Sequence, residues 1–363
     1  MDIVGIGRGL IADPEWVKKV EHDETDILRK CISCNVGCAG NRIGINRPIR
    51  CTVNPAVPEG DIYKRLRVNK NCNVVVIGGG TAGLEAACTA AEVGCNVFLF
   101  EKSDKLGGLS EFISDLPSKT RMKDFPRYLR TRAERLPNLY TFLNTEASIE
   151  EINKFHPDIV VNATGSHPVV PPIPGLRENR TAGNLDDIFI MINNVNAGKY
   201  PEEFCRGKKV LVMGGGAVGL DIIEYFAPLG ADCTIVDMLP TIGAVADPIT
   251  KCSIKETFEV NHVKQYVNTA IQEVKEHSIV VKTPEGNVEE LEFDLGFSAL
   301  GLAAYNPILD ELHKEYDDTD VDVYNIGDSV RARHIMEGTM DGRAILNVLD
   351  KRGLLDLSEI ELA

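Results

Sequence analysis

The chain is built of short apolar runs that stop on glycine and restart as helices, and one such unit occurs twice. Val74–Ile77 is a continuous apolar run without polar alternation, the pattern of a parallel strand buried on both faces. Gly78, Gly80 and Gly83 follow on a G-x-G-x-x-G spacing, then the helix formers Leu84–Ala87, and a second predicted strand, Asn96–Phe100, ends on Glu101. Val210–Met213 opens the second unit, with Gly214, Gly216 and Gly219, a helix from Leu220, a strand over Cys233–Val236 and then Asp237. All four markers are displaced by the same 136 positions (214 − 78, 216 − 80, 219 − 83 and 237 − 101). Pro157–Gly165 reads as a buried strand ending in Ala163, Thr164 and Gly165, and Ala299-Leu300-Gly301 echoes that ending at the same offset.

The rest of the pattern is less regular. Asp2–Ile6 reads as a strand, followed by a Gly7-Arg8-Gly9 loop and a helix marked by Asp13 as cap, Pro14 and Glu15. Residues 56–70 are polar and read as a linker. Pro168–Pro174 holds four prolines and predicts an extended connection out of the first unit. Ile279–Phe293 reads as a hairpin turning at Pro284–Asn287. Val323–Ile326 is a strand that delivers Gly327 and Asp328 into a loop, and a helix is predicted over Met336–Leu349.

The repeated unit has a mechanical reading. The first glycine permits a tight turn, the second lets backbone approach a pyrophosphate, and the third lets helix pack on strand. The helix N-terminus, with Thr81 and Ala82 in one copy and Ala217 and Val218 in the other, offers free N–H groups and partial positive charge to phosphates. Glu101, 18 residues past Gly83 (101 − 83), can accept from ribose hydroxyls. Lys102 beside it joins the candidate contacts. Gly107-Gly108 would let a ribityl chain lie against backbone. An ordinary glycine turn would leave the position of the acid unexplained. Two full copies imply two nucleotides, or one nucleotide and one decayed copy. The pair predicts electron passage between two dinucleotides. Asp237, followed by Met238 rather than an arginine, favours NADH over NADPH.

Cysteine adds a third element. Cys31, Cys34 and Cys38 are closely spaced, and Cys51 returns after twelve residues. Three thiols on one loop and a fourth arriving later suit a [4Fe–4S] cluster. Structural zinc prefers two C-x-x-C pairs, and a thioredoxin-type pair would leave Cys38 and Cys51 without a role. The other six of the ten cysteines share no ligand spacing and read as small core residues. The seven histidines show no ligand or triad spacing, and His167 reads as a loop residue. Hydride transfer needs no acid or base, so no catalytic residue is named. With 44% hydrophobic and 26% charged residues, the 363-residue chain has core for two or three domains. A net charge of −15 argues against nucleic acid or an anionic membrane as partner. No apolar run reaches the roughly 20 residues that span a bilayer, so cytoplasm is the expected location, with disulfides unexpected there.

Four features in this order resemble the C-terminal half of the 2,4-dienoyl-CoA reductase, enoate reductase and trimethylamine dehydrogenase family. They are Val4–Trp16 (VGIGRGLIADPEW), the Cys31/Cys34/Cys38/Cys51 set, the double nucleotide unit with its Ala-Thr-Gly ending, and Ile326-Gly327-Asp328. The resemblance implies an α/β fold of two Rossmann-like FAD/NAD(P)-binding domains of the pyridine nucleotide-disulfide oxidoreductase type, the NAD domain inserted in the FAD domain. The expected division is a barrel remnant over 1–28, an iron–sulfur loop and linker over 29–70, FAD-binding segments over 71–190 and 300–363, and an NAD(H) domain over 191–299. It further implies that Gly78, Gly80, Gly83, Glu101, Gly108 and Asp328 hold FAD, with Ala163, Thr164, Gly165 and Gly327 alongside. Gly214, Gly216, Gly219 and Asp237 would hold the nicotinamide dinucleotide, and Arg8 would be an FMN phosphate ligand. In that family an N-terminal FMN barrel treats the organic substrate. Such a barrel needs about 250 residues, so FMN is expected only where a partner chain or domain supplies the barrel. Leu109 departs from the glutamine that relatives often carry. A glutamate-synthase small-subunit-like reductase, and a nucleotide-binding subunit with a silent second site, remain alternatives; a homo-oligomer is open.

Overall fold

The computed structural model describes residues 3–57, 59–244, 246–356 and 358. They form two compact units, one from residues within 1–114, 120–167 and 303–363, the other from 115–119 and 168–302. The second unit is thus inserted in the first, as expected. Apart from the short 115–119 segment, the crossings fall at 167/168 and 302/303 rather than at 190/191 and 299/300. The four-proline stretch is the connection, and Leu185–Asp186 beyond it pairs in parallel with Leu295–Ser298 in the second sheet.

The first unit is centred on a five-stranded parallel sheet in the order Asp322–Asn325, Ile159–Asn162, Asn73–Ile77, Asn96–Phe100, Leu139–Phe142. From Val74 to Ile77 its central strand is apolar because each face meets its own core. Val74 and Val76 pack with Leu84, Ala87 and Leu129, whereas Val75 and Ile77 pack with Phe100, Ile152 and Leu312. Each fully buried valine or leucine stabilises the unit by about 1.5–3 kcal/mol. The strand Asp322–Asn325 arrives after the insertion and pairs with Ile159–Asn162, which completes the sheet. A buried ion-pair network joins two helices over it. Arg132 of helix Asp124–Glu134 bonds Glu85 and Glu92 of helix Thr81–Glu92 at 2.7 Å each.

The second unit repeats the plan with the parallel order Lys264–Tyr266, Asp232–Val236, Lys209–Met213, Leu295–Ser298, Leu185–Asp186. Its core includes Leu211, Met213 and Val236, together with Ile279 and Val281 from an antiparallel three-stranded sheet. The predicted hairpin is present, Ser278–Lys282 pairing with Val288–Glu292.

Two expectations are corrected. Asp2 lies outside the described residues, and Ile3–Ile6 form no strand, because no described strand pairs with them. Arg8 consequently opens a short helix, Arg8–Ala12, instead of lying in a loop, and a second helix runs over Trp16–Glu21. The helix expected over Met336–Leu349 is two helices, Ile335–Arg343 and Ile345–Lys351. The chain turns between them at Ala344, where ψ is −4°. Among the described residues no helix is long and apolar enough to cross a membrane.

Candidate functional site

The first glycine loop joins strand Asn73–Ile77 to helix Thr81–Glu92. Gly78 has φ +103°, and a Cβ there would lie 2.3 Å from the Ala163 carbonyl oxygen; at Gly83 it would lie 1.9 Å from the Gly78 oxygen. Both positions are closed to a side chain by backbone. Gly80 differs. Nothing lies within 4 Å of a Cβ built on it, and it begins the helix without a side-chain cap. The loop is therefore tight at its two ends and open at its middle, beside orphan N–H donors of a helix N-terminus. That is a cradle for an anion, and it fits a dinucleotide pyrophosphate.

The second unit reproduces this geometry. A Cβ on Gly214 (φ +109°) would lie 2.2 Å from the Ala299 oxygen, one on Gly219 would lie 1.9 Å from the Gly214 oxygen, and Gly216 faces open space. The two acids also behave alike. Glu101 Oε2 accepts from Gly79 N–H at 2.7 Å, and Oε1 accepts from Ser103 N–H and Oγ. Asp237 Oδ2 accepts from Gly215 N–H at 2.5 Å and Oδ1 from Leu239 N–H at 2.7 Å. A carboxylate has about four acceptor positions, so each retains capacity for a ribose hydroxyl while bracing its glycine loop.

The repeat extends beyond the glycines and acids that mark it in sequence. Gly107 N–H donates to Gly79 O at 2.8 Å and Gly243 N–H to Gly215 O at 2.8 Å. Leu106 and Ile242 side chains close over Gly79 and Gly215 respectively. Both pairs keep the offset of 136 (243 − 107, 242 − 106). The weak signal was apolar-Gly at one spacing from each glycine loop. At the next position the copies diverge, Gly108 against Ala244. A Cβ on Gly108 would stand 2.9 Å from Gly80 Cα, so that glycine belongs to the first site only.

Around the first site, Ala163, Thr164 and Gly165 (φ +83°) form the turn after strand Ile159–Asn162, with Thr164 Oγ1 donating to Tyr305 O at 2.5 Å. Lys102 stands over the Tyr305 ring at 5.0 Å, and His167 meets that ring edge-on. Gly327 approaches Ala82, a built Cβ falling 2.7 Å from the Ala82 methyl. Asp328 accepts from Ser166 Oγ at 3.2 Å and Arg333 N–H at 3.0 Å, and burial pushes its carboxyl up. In the second unit Ala217 and Val218 begin helix Ala217–Phe226. Asp221 and Glu224 on that helix hold Lys119, at 2.7 and 2.9 Å. Sequence reasoning missed this triad, since 105 residues separate Lys119 from Glu224.

Cys31, Cys34, Cys38 and Cys51 line one cavity with Arg8 and Thr52. Ser33 and Asn35 flank Cys34 with φ of +57° and +59°, which bends the loop around it. Gly37, not singled out from the sequence, lets the returning chain close in: a Cβ there would lie 2.7 Å from the Arg50 oxygen. Burial pushes the Cys34 and Cys51 thiols up. Among the described residues no group of three or more His, Cys, Asp or Glu side chains is arranged to hold a metal ion. A single ion needs thiolates about 2.3 Å from one point, whereas a cuboidal cluster takes one thiolate at each of four corners. The four thiols at this cavity are the donor type and number that the second demand calls for. Arg8 is exposed and contacts the Asn35 carboxamide.

The sequence profile of the pyridine nucleotide-disulphide oxidoreductase family matches residues 129–335, and that of FAD dependent oxidoreductases matches residues 73–113. An NADH oxidase of Thermoanaerobacter brockii is 36% identical over 344 residues, 94% of this chain and 51% of that protein. A bilirubin reductase of Mediterraneibacter gnavus is 33% identical over 96% of this chain and 52% of its own length. A solved 2-naphthoyl-CoA reductase in complex with 2-naphthoyl-CoA superposes with a TM-score of 0.80 at 28% identity, covering 94% of this chain and 50% of that one. The chain spans about half the length of the curated relatives it matches. With more than half of its residues inside the first profile, the chain belongs to the pyridine nucleotide-disulphide oxidoreductase family, and it corresponds to the C-terminal FAD- and NAD-binding half of its longer relatives.

Proposed function

We propose that this chain is the electron-input module of a cytoplasmic iron–sulfur flavoenzyme, taking electrons from NADH through FAD and a [4Fe–4S] cluster to an acceptor outside the chain. The observation that carries this reading is the occurrence of two glycine loops with matching open centres and braced acids, in a chain that also gathers four cysteines at one cavity. FAD supplies hydride acceptance from NADH and single-electron release, and the cluster supplies one-electron carriage.

In the first unit, the N–H groups of Thr81, Ala82 and Gly83 face the FAD pyrophosphate, and Glu101 accepts from its ribose. Gly108 keeps the backbone clear beside Gly80, and Asp328 offers a carboxylate to the ribityl chain. Ala163, Thr164, Gly165 and Gly327 shape the wall, and Lys102 adds positive charge. In the second unit, Gly216, Ala217, Val218 and Gly219 receive the NADH pyrophosphate, and Asp237 accepts from the adenosine ribose while repelling a 2′-phosphate. Cys31, Cys34, Cys38 and Cys51 ligate the cluster. The onward acceptor is an FMN barrel supplied by another segment or chain, with Arg8, which lines the cysteine cavity, as a phosphate ligand. Relatives twice as long support that assignment.

The test is anaerobic purification followed by analysis of flavin, iron and sulfide, with NADH oxidation measured against an artificial acceptor. About one FAD and four iron per chain with steady NADH turnover is expected. Bound FAD without NADH oxidation would make the second unit a silent binding site and refute electron entry there.

A further inference from the structure

Among the side chains at the cysteine cavity, Thr52 stands out by how firmly it is held. Its Oγ1 is 3.1 Å from Cys34 Sγ, and the residue is 4% exposed. Its carbonyl oxygen accepts from Thr339 Oγ1 at 2.9 Å, and Thr339 is fully buried. Thr339 belongs to helix Ile335–Arg343, whose Gly342 lies so close to the first glycine-loop helix that a Cβ would fall 2.5 Å from the Ala82 oxygen. Two residues beyond Thr52, Asn54 Nδ2 donates to Ile11 O at 3.0 Å and its Oδ1 accepts from Ala56 N–H at 3.1 Å. Both flanks of the Thr52 hydroxyl are therefore fixed, and so is Cys34, between two left-handed residues.

We infer that Thr52 is a positioning residue that sets the reduction potential of the cluster, by directing its hydroxyl at the Cys34 sulfur. The inference rests on the cluster reading above. A protonated Cys34 thiol at this distance donates to Thr52 Oγ1. A thiolate has no proton to give, so on ligation the hydroxyl turns and donates to sulfur. Such a bond withdraws electron density from the sulfur and stabilises the state with the extra electron, which raises the potential. The bond from Thr339 to the Thr52 carbonyl ties this donor's backbone to the helix that borders the first glycine loop. It holds its direction without contributing a ligand.

The measurement is the midpoint potential of the cluster, followed by electron paramagnetic resonance during an anaerobic redox titration of the full chain. Thr52→Val keeps the side-chain shape and removes the donor; Thr52→Ser keeps the donor and removes the methyl. Thr52→Val is expected to favour the oxidised cluster by about tenfold, a 59 mV fall for a one-electron couple, with FAD content and iron content unchanged. Thr52→Ser is expected at the wild-type potential. If Thr52→Val loses the cluster, Thr52→Ala against Thr52→Ser makes the same comparison. A cluster that is present in the wild type but whose potential is unchanged in Thr52→Val, or falls equally in Thr52→Ser, overturns the inference and leaves the cluster reading standing. A wild-type chain that takes up no cluster overturns both.

Discussion

Gly216 and Gly219 are three residues apart in one loop, and the structure predicts opposite outcomes on replacing each with alanine. At Gly219 the new methyl carbon would sit 1.9 Å from the Gly214 carbonyl oxygen, a backbone atom that cannot retreat without pulling the strand Lys209–Met213 with it. Gly219→Ala is therefore an overpacking change with a cost of about 1–3 kcal/mol or more, enough to lower the melting temperature of a domain this size by several degrees. At Gly216 the methyl meets nothing within 4 Å and φ is −78°, ordinary for alanine. Alanine is a poorer helix cap than glycine by up to about 1 kcal/mol, offset by about 0.4–1 kcal/mol from the stiffer unfolded chain. The fold should keep its stability within about 1 kcal/mol. The methyl would instead occupy the open loop centre that we propose receives a pyrophosphate. Losing two hydrogen bonds to a charged group, about 1.5–3 kcal/mol each, weakens NADH binding by about a hundredfold or more. Thermal melting and NADH titration of both variants, with FAD content as a control, make the comparison. A Gly216→Ala chain that binds NADH like the wild type would refute the assignment of the loop centre to phosphate.

Other consequences follow from single residues. Asp237→Ser removes the charge that repels a 2′-phosphate, worth about 1 kcal/mol or more at close range, so the NADPH-to-NADH ratio of kcat/KM should rise about tenfold; an unchanged ratio would take the specificity away from Asp237. Gly37→Ala should displace the Arg50–Cys51 segment and lower iron content while FAD stays bound, because the built Cβ meets the Arg50 oxygen at 2.7 Å; iron content equal to wild type would remove Gly37 from the account. Burial works against charge on Glu92, but the Arg132 guanidinium and the Tyr63 hydroxyl outweigh it and hold its carboxyl down at about 2. Because the folded value is below the unfolded one near 4.5, the stabilisation is present above pH 4.5 and disappears as pH falls through about 2. Its size is about 3 kcal/mol. Urea unfolding between pH 5 and pH 2.5 should show a shallower loss of stability in Glu92→Gln than in the wild type, and equal slopes would exclude this carboxyl as the source.

The glycine loops and both acids were legible because each depends on local chemistry repeated at one offset, whereas the inserted order of the units came only from the family resemblance. Gly78 and Gly214 are needed where the backbone turns against Ala163 and Ala299, and that need leaves a mark in sequence. Lys119 with Asp221 and Glu224 was not legible, since an ion pair between residues about a hundred positions apart has no periodicity. Gly107 and Gly243 were within reach, but their partners are backbone carbonyls, which any sequence supplies. The strand expected over Asp2–Ile6 shows the converse. A short apolar stretch becomes a strand only where a neighbouring strand exists to pair with it, and the described residues offer none. The break at Ala344 was equally hidden, because alanine is the best helix former and marks no turn in sequence.

The most direct test of the account is an anaerobic titration of the purified chain with NADH, followed by absorbance after the released flavin has been identified. Bleaching of an FAD spectrum together with loss of the broad iron–sulfur absorbance is the predicted result, and it would establish electron flow from NADH through both centres. An FAD spectrum that NADH leaves unchanged would contradict the central claim and reduce the second glycine loop to a binding site without electron entry.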